Sequence, residues 1–153
     1  MEDSLKKEIV FVCTGNTCRS PMAEAICRYE IKRRNLGGFS ISSVGLEAGA
    51  RGNLNEYTAR VLADNGLSLE NFVSRQVSEN QLKTVYAFVC MTKSQKEEFC
   101  ALYRRKEGVY AFSELAGYDV PDPFGREIED YRKTFSLLEK GMAAVLEKLT
   151  VNA

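Results

Sequence analysis

The chain is predicted to fold as a single α/β domain over residues 1–153, with a doubly wound, four-stranded parallel sheet flanked by helices. Short β-rich apolar segments alternate with helical segments along the whole chain, which is the pattern of βαβ units. Val85–Met91 is a seven-residue run without a charged side chain, as in a central parallel strand buried on both faces. No internal repeat, linker or low-complexity stretch divides the chain.

The first three elements follow from local signals. Ile9–Cys13 is apolar and predicts a strand. Helical spacing predicts a helix from Pro21, and Gly37-Gly38 is expected to end it. Phe39–Val44 alternates between apolar and polar side chains and predicts the second strand.

The other elements are recognised by caps, composition and period. They are a helix capped by Asn55 and closed by Asn65-Gly66, a strand at Val85–Met91, a helix at Lys93–Tyr103, a strand at Val109–Phe112 and a closing helix at Glu127–Leu149.

Composition limits the function. Lys plus Arg and Asp plus Glu both number 21, so net charge favours neither a nucleic-acid partner nor a membrane partner. The longest apolar run is too short to span a bilayer, and residues 1–7 lack a secretion signal. Five irregularly spaced cysteines do not suggest a secreted disulfide framework. We therefore expect a cytoplasmic protein.

The chain contains no histidine. This excludes Ser-His and Cys-His nucleophile pairs and removes the usual ligand of most zinc sites. A nucleophile must instead be activated by loop dipoles or by neighbouring cations.

The segment Cys13–Ser20 combines a cysteine at the end of a strand with an arginine at the start of a helix. Backbone N–H groups of residues 14–19 are expected to form an anion-binding nest, and such amides also stabilise a thiolate. Gly15 and Asn16 are residue types that accept the left-handed backbone that this curl needs. Ser20 is expected to donate a hydrogen bond to the sulfur.

Arg19 is suited to bind the phosphoryl group that a cysteine nucleophile would attack. Its planar guanidinium can hold two phosphoryl oxygens while negative charge spreads over them. The segment lacks the Gly-Lys-Ser/Thr ending of a nucleotide-binding P-loop. A cysteine and an arginine in this arrangement indicate attack on phosphorus, with Thr14, Gly15, Asn16, Thr17, Cys18 and Arg19 as phosphate-binding residues.

A second motif surrounds Asp122. Pro121 and Pro123 flank this aspartate and stiffen its loop. A general acid must reach the leaving atom within about 3 Å, so a stiff loop suits that role.

Together these motifs resemble the low-molecular-weight protein tyrosine phosphatase family. The resemblance lies in Val12–Glu24 and in Asp122–Phe124, and it covers nearly the whole chain. It implies a phosphocysteine intermediate on Cys13, protonation of the leaving group by Asp122, and activation of water by the same carboxylate. It also implies that Asn16 braces the loop, that inorganic phosphate is the product, and that neither metal nor organic cofactor is needed.

Substrate preference is inferred from the same resemblance. Tyrosine-directed members usually carry a bulky aliphatic residue where this chain has Thr17, and the loop is closest in motif to the bacterial protein arginine phosphatase branch. A hydroxyl tolerates a polar, planar guanidinium better than a branched alkyl group does. Glu47 replaces the family's usual aromatic wall, and Phe124 follows the acid loop. We expect Thr17, Glu47 and Phe124 to be the substrate-selecting residues. The favoured substrate is phosphoarginine on proteins, with phosphotyrosine as the alternative.

Two alternatives to a phosphatase are an arsenate reductase and a phosphocarrier. An arsenate reductase would need a disulfide relay, for which Cys90 and Cys100 are the available pair. A non-hydrolytic phosphocarrier would need neither Arg19 nor Asp122. The resemblance further implies that Cys18 protects oxidised Cys13 through a reversible disulfide. Oligomeric state is not indicated by the sequence.

Overall fold

The computed structural model describes residues 6–49 and 52–151. The predicted domain of residues 1–153 also includes residues 1–5, 50–51 and 152–153, which lie outside the described residues. The elements in chain order are β1 (Lys7–Cys13), α1 (Arg19–Arg33), β2 (Phe39–Gly45), α2 (Glu56–Asp64), α3 (Glu79–Thr84), β3 (Ala87–Cys90), α4 (Lys93–Tyr103), β4 (Val109–Ala111), α5 (Phe112–Ala116) and α6 (Ile128–Thr150).

The four strands form one parallel sheet in the order β2-β1-β3-β4. Strand β1 is central, pairing with β2 from Lys7↔Phe39 to Cys13↔Gly45. It also pairs with β3 on its other edge. The predicted fold class is therefore confirmed.

Alternate residues of β1 enter two hydrophobic cores, which explains its unbroken apolar run. Ile9 and Phe11 pack with α1 and α6 on one face of the sheet. Val10 and Val12 pack on the other face with Phe99 of α4. Because both faces are covered, β1 holds its carboxyl end rigidly in the middle of the molecule.

A left-handed residue ends α1, and an asparagine side chain caps the start of α2. Helix α1 ends before the predicted Gly37-Gly38 because Asn35 adopts a φ of 56°. Leu36 N–H then donates to Ile31 O at 2.9 Å and Asn35 N–H to Lys32 O at 3.2 Å, which is the Schellman pattern. Asn55 caps α2 as predicted.

Several predicted boundaries need correction, and two short helices are added. Helix α1 begins at Arg19, ahead of Pro21, and β3 is confined to Ala87–Cys90. Strand β4 ends at Ala111 because Phe112 begins α5, and α6 begins one residue after Glu127. The short helices α3 and α5 were not predicted. No helix in the described part of the chain has the length and apolarity of a bilayer span.

Helix α6 packs very closely on α5 at Gly141. A Cβ added there would lie 2.7 Å from the Phe112 ring and 2.9 Å from Ala116 Cβ. We expect Gly141→Ala to lower the free energy of unfolding by about 1 kcal/mol, because overpacking outweighs the helix propensity that alanine adds. Urea denaturation measures this change.

Gly37→Ala is the matched control, since nothing lies within 4 Å of a Cβ there. It should change stability by less than about 0.5 kcal/mol. A Gly141→Ala protein more stable than the wild type would contradict the prediction and show that α5 shifts to accommodate the added methyl group.

Candidate active site

The segment between β1 and α1 lies at the carboxyl end of the central strand. Strands β2 and β3 lie on opposite sides of β1, so the strand order reverses at β1 and its carboxyl end is the switch point of the sheet. Ligands of open α/β sheets bind at such a point. The predicted site segment therefore lies where the topology favours binding.

A pocket of about 400 Å³ opens at this edge. Its lining residues come from four separate segments of the described chain. They are Cys13, Thr14, Gly15, Thr17, Cys18, Arg19, Ala48, Gly52, Ser74, Asp122 and Phe124. The two predicted motifs, one beginning at Cys13 and the other containing Asp122, therefore share one cavity.

The Cys13 sulfur is directed toward the first turn of α1. Ser20 Oγ lies 2.9 Å from Cys13 Sγ, and Ser20 N–H donates to the same sulfur at 3.5 Å. A helix N-terminus carries partial positive charge. The Ser20 N–H, the Ser20 hydroxyl and the start of α1 therefore all lie against the Cys13 sulfur.

Asn16 braces the loop from behind. It has a φ of 56° and is fully buried. Its Nδ2 donates to Ser20 Oγ at 2.8 Å and to Ser43 Oγ at 3.0 Å, while its Oδ1 accepts from Arg75 N–H at 2.9 Å. Asn16 is not among the lining residues, unlike the other predicted phosphate-binding residues, because its side chain is used to hold the loop.

The network continues to a buried carboxylate. Ser43 Oγ donates to Glu24 Oε1 at 2.6 Å, and Arg28 pairs with Glu24 at 2.6 Å. Burial raises the pKa of Glu24 more than the Ser43 hydroxyl and Arg28 lower it. Because the Ser43 hydroxyl donates its hydrogen bond to Glu24, its oxygen accepts the hydrogen bond from Asn16 Nδ2.

The hydrogen-bond partners of Ser20 determine the direction of its hydroxyl proton in the same way. Its oxygen accepts from Asn16 Nδ2, so its own proton is available to another acceptor. Cys13 Sγ lies at 2.9 Å, whereas Val44 O lies at 3.4 Å. The shorter contact is to sulfur, and the Ser20 hydroxyl is therefore arranged to donate to Cys13.

Arg19 connects the nucleophile loop to the acid loop. Its buried guanidinium donates from Nη1 to Val120 O at 3.0 Å, and Nη2 lies 3.7 Å from Asp122 Oδ2. The Asp122 side chain is 53% exposed, and its Oδ1 accepts from Phe124 N–H at 3.0 Å. Arg19 and Asp122 thus form an ion pair in the lining of the pocket.

The residues expected to select substrate divide into two groups. Thr17 and Phe124 line the pocket, and the Phe124 side chain is 68% exposed. Glu47 is exposed and is not a lining residue, because its N–H donates to Thr14 O at 2.8 Å and the next residue, Ala48, forms that wall. The role of Glu47 in substrate selection stays a prediction.

Several site residues were missed. Gln95 Nε2 donates to Thr14 Oγ1 at 3.0 Å, and Gln95 also completes the capping box of α4. Ser74 and Gly52 line the pocket beside Thr17, joined by a 2.8 Å bond from Gly52 N–H to Ser74 Oγ. Only the capping box carries a sequence signal, and it gives no indication of a contact with Thr14.

Crowding at Gly45 presses β2 against the loop. An added Cβ would lie 2.7 Å from Thr14 O and 3.1 Å from Asn16 Cβ. Gly45 N–H also donates to Arg75 O at 2.7 Å. The path of the loop therefore depends on a residue without a side chain at the end of β2.

The remaining cysteines lie in distinct surroundings. Cys18 is a buried lining residue whose Sγ is 3.8 Å from both Thr17 Oγ1 and Tyr131 Oη, and burial raises the pKa of its thiol. Cys90 and Cys100 do not line the pocket. Within residues 6–49 and 52–151, no group of three or more potential metal ligands occurs together.

A cysteine under a helix N-terminus, with an arginine and an aspartate across the same pocket, defines a cysteine-dependent phosphatase. The family model described as low molecular weight phosphotyrosine protein phosphatase matches residues 8–153. The chain belongs to this family.

Relatives include phosphatases of two specificities. The chain is 32% identical over 146 residues to a protein-arginine-phosphatase of Bacillus subtilis, covering 93% of this chain and 96% of that one. It is 36% identical over 132 residues to the low molecular weight protein-tyrosine-phosphatase PtpB of Staphylococcus haemolyticus, covering 85% and 91%.

A solved structure of YwlE arginine phosphatase, a mutant with a phosphorylated active site serine, superposes with a TM-score of 0.86 at 31% identity. The match covers 93% of this chain and 95% of that one.

The raised pKa of Glu24 predicts a specific pH dependence of stability. A carboxyl whose pKa is raised by folding binds its proton more tightly in the native state, so ionising it reduces stability as pH rises above its ordinary value near 4.5. We expect the unfolding free energy of wild type, relative to Glu24→Gln, to fall as pH rises from about 4.5. Urea denaturation from pH 4 to 8 measures the difference, and an increase with pH would contradict the assignment.

Proximity of Cys18 to the Cys13 pocket predicts its redox behaviour. Peroxide would convert the Cys13 thiolate to a sulfenic acid, and attack by the Cys18 thiol would form a disulfide and release water. After peroxide treatment, dithiothreitol should restore wild-type activity and restore Cys18→Ser to a much smaller extent. Cys100→Ser, which lies off the pocket, should recover like wild type; equal recovery of Cys18→Ser would argue against protection.

Proposed function

We propose that this protein phosphatase hydrolyses phosphoarginine in protein substrates. The observation that carries the proposal is the wall beside Cys13, where Thr17 lies with Gly52 and Ser74. These side chains are small, and two of them carry hydroxyls. Such a wall accommodates a polar, planar guanidinium without burying unpaired polar groups.

In the first step, the Cys13 thiolate attacks phosphorus and a sulfur–phosphorus bond forms. The phosphorus–nitrogen bond breaks, and its electron pair stays on the guanidine nitrogen of the substrate. Asp122 in its acid form donates a proton to that nitrogen. The Asp122 carboxylate then faces a cationic leaving group, which favours an arginine product.

In the second step, Asp122 removes a proton from water as the water attacks phosphorus. The sulfur–phosphorus bond breaks, regenerating the Cys13 thiolate and releasing inorganic phosphate. Arg19 and the loop amides hold the phosphoryl oxygens during both steps. The phosphorylated active site serine of the YwlE mutant supports such a phosphorylated enzyme by similarity.

Phosphotyrosine is the second candidate substrate. The exposed Phe124 ring lines the pocket and offers a surface on which a phenyl group can stack. The tyrosine phosphatase PtpB is also as similar to this chain as the arginine phosphatase is. Phe124 therefore favours phosphotyrosine, whereas the Thr17 wall favours phosphoarginine.

Substrate preference is tested with matched peptides that differ only in carrying phosphoarginine or phosphotyrosine. We expect a kcat/KM about tenfold higher for phosphoarginine, because a hydrogen bond to the Thr17 wall worth about 1.4 kcal/mol gives that ratio. Thr17→Ile should reverse the preference by removing the hydroxyl and filling the wall. Phosphate release measured at steady state gives both ratios.

Thr17→Ser is the matched control, because it keeps the hydroxyl and should keep the phosphoarginine preference. Cys13→Ser should release no phosphate from either peptide. A wild-type preference for phosphotyrosine would reject the proposed substrate, and turnover by Cys13→Ser would reject the proposed nucleophile.

A further inference from the structure

A second cavity adjoins the catalytic pocket across the Phe124 ring. This cavity, called here the flanking groove, has a volume of about 360 Å³ and is formed by Glu56, Tyr57, Phe124, Arg126 and Tyr131 together with neighbouring backbone. Phe124 lines both cavities. One side chain therefore divides the place where a phosphorylated residue enters from a second depression beside it.

Apolar surface is concentrated at this groove. Five large apolar side chains are exposed in the described part of the chain, and two of them, Tyr57 and Phe124, line the groove. The Tyr57 side chain is 37% exposed. Exposed aromatic surface beside a binding pocket is typical of a recognition site.

Tyr57 is held by contacts within the groove. Tyr57 packs edge-on against the buried Tyr131 ring at a centroid distance of 5.2 Å and an interplanar angle of 79°. The Tyr57 N–H donates to Asn55 Oδ1 at 2.9 Å, which fixes the backbone at the start of α2. A ligand would therefore meet a preformed aromatic surface and would not have to order it.

The groove carries no dominant charge. Glu56 and Arg126 are both exposed at its edge and have opposite signs. The other lining residues with side chains are the polar Asn55 and the aromatic Tyr57, Phe124 and Tyr131. The geometry therefore favours an uncharged apolar side chain over an acidic or a basic one.

The occupant follows from the nature of the substrate. A phosphorylated residue of a protein brings its own neighbours to the mouth of the pocket. In an extended chain, side chains two residues apart point in the same direction and are separated by about 6.6 Å. At that separation, the phosphorylated side chain and a second side chain of the substrate can lie on either side of the Phe124 ring.

We propose that the flanking groove binds an aliphatic or aromatic side chain located two residues from the phosphorylated residue of the protein substrate. Phe124 separates the two side chains, and Tyr57 supplies the contact surface for the second one. The inference rests on the proposed phosphatase function, and it applies whether the phosphorylated residue is arginine or tyrosine. It makes Tyr57 a specificity residue outside the catalytic pocket.

The test compares phosphopeptides that have leucine or glycine two residues before, or two residues after, the phosphorylated residue. Wild type should show a kcat/KM about fivefold higher for leucine at one of these positions, mainly through KM. Tyr57→Ala should remove that preference. Its activity on para-nitrophenyl phosphate, which has no flanking chain, should match that of wild type.

Tyr29→Ala is the control variant, because Tyr29 is an exposed tyrosine on α1 that does not line the groove. It should keep the leucine preference. Equal kcat/KM for leucine and glycine peptides in wild type would overturn the groove, as would a preference that survives Tyr57→Ala.

The peptide comparison in wild type needs no variant, so an unstable Tyr57→Ala protein would leave the proposal falsifiable. A parallel loss of para-nitrophenyl phosphate activity in a folded Tyr57→Ala protein would assign Tyr57 a structural role and reject the subsite. Inactive wild type on every phosphorylated substrate would instead reject the proposed function.

Discussion

The left-handed backbone at Asn16 is the constraint on which the catalytic pocket depends. Such a conformation costs an L-residue roughly 1 kcal/mol, so the surrounding structure must hold it. The buried Asn16 side chain is held by Ser20, Ser43 and the Arg75 backbone. With this residue fixed, the chain turns between β1 and α1 tightly enough to bring the N–H and the hydroxyl of Ser20 to the Cys13 sulfur.

Hydrogen-bond direction is transmitted from a buried carboxylate to the nucleophile. Glu24 accepts from Ser43, and Ser43 therefore accepts from Asn16. Asn16 in turn saturates one acceptor site of Ser20, leaving its proton for Cys13. The chain contains no histidine, so the groups that contact the Cys13 sulfur here are the hydroxyl and the backbone N–H of Ser20.

Much of the fold was predictable because its signals are local. The unbroken apolar run of β1, the Asn55 cap and the period of Lys93–Tyr103 each depend on neighbouring residues only. Helices α3 and α5 were missed because each is very short. A helix of five or six residues is too short to show a clear helical period in the sequence, even where a capping box is present.

The candidate site was predictable to the extent that its motifs are contiguous. The Cys13 segment and the Asp122 loop were recognised separately, and the structure brings both to one pocket. Ser74 and Gln95 reach that pocket from distant segments, and neither position has a pattern that reveals the contact. Ala48 lines the pocket and Glu47 does not, and the sequence pattern does not show which of two neighbouring loop residues faces a cavity.

The tie between Arg19 and Val120 spans 101 positions of the chain. Arg19 therefore lacks this carbonyl partner during most of synthesis, and the cavity wall at Asp122 and Phe124 is also missing. A nascent chain on the ribosome thus carries its nucleophile long before it has a complete pocket. The part of the pocket wall formed by Asp122 and Phe124 can therefore be completed only after that segment has been synthesised.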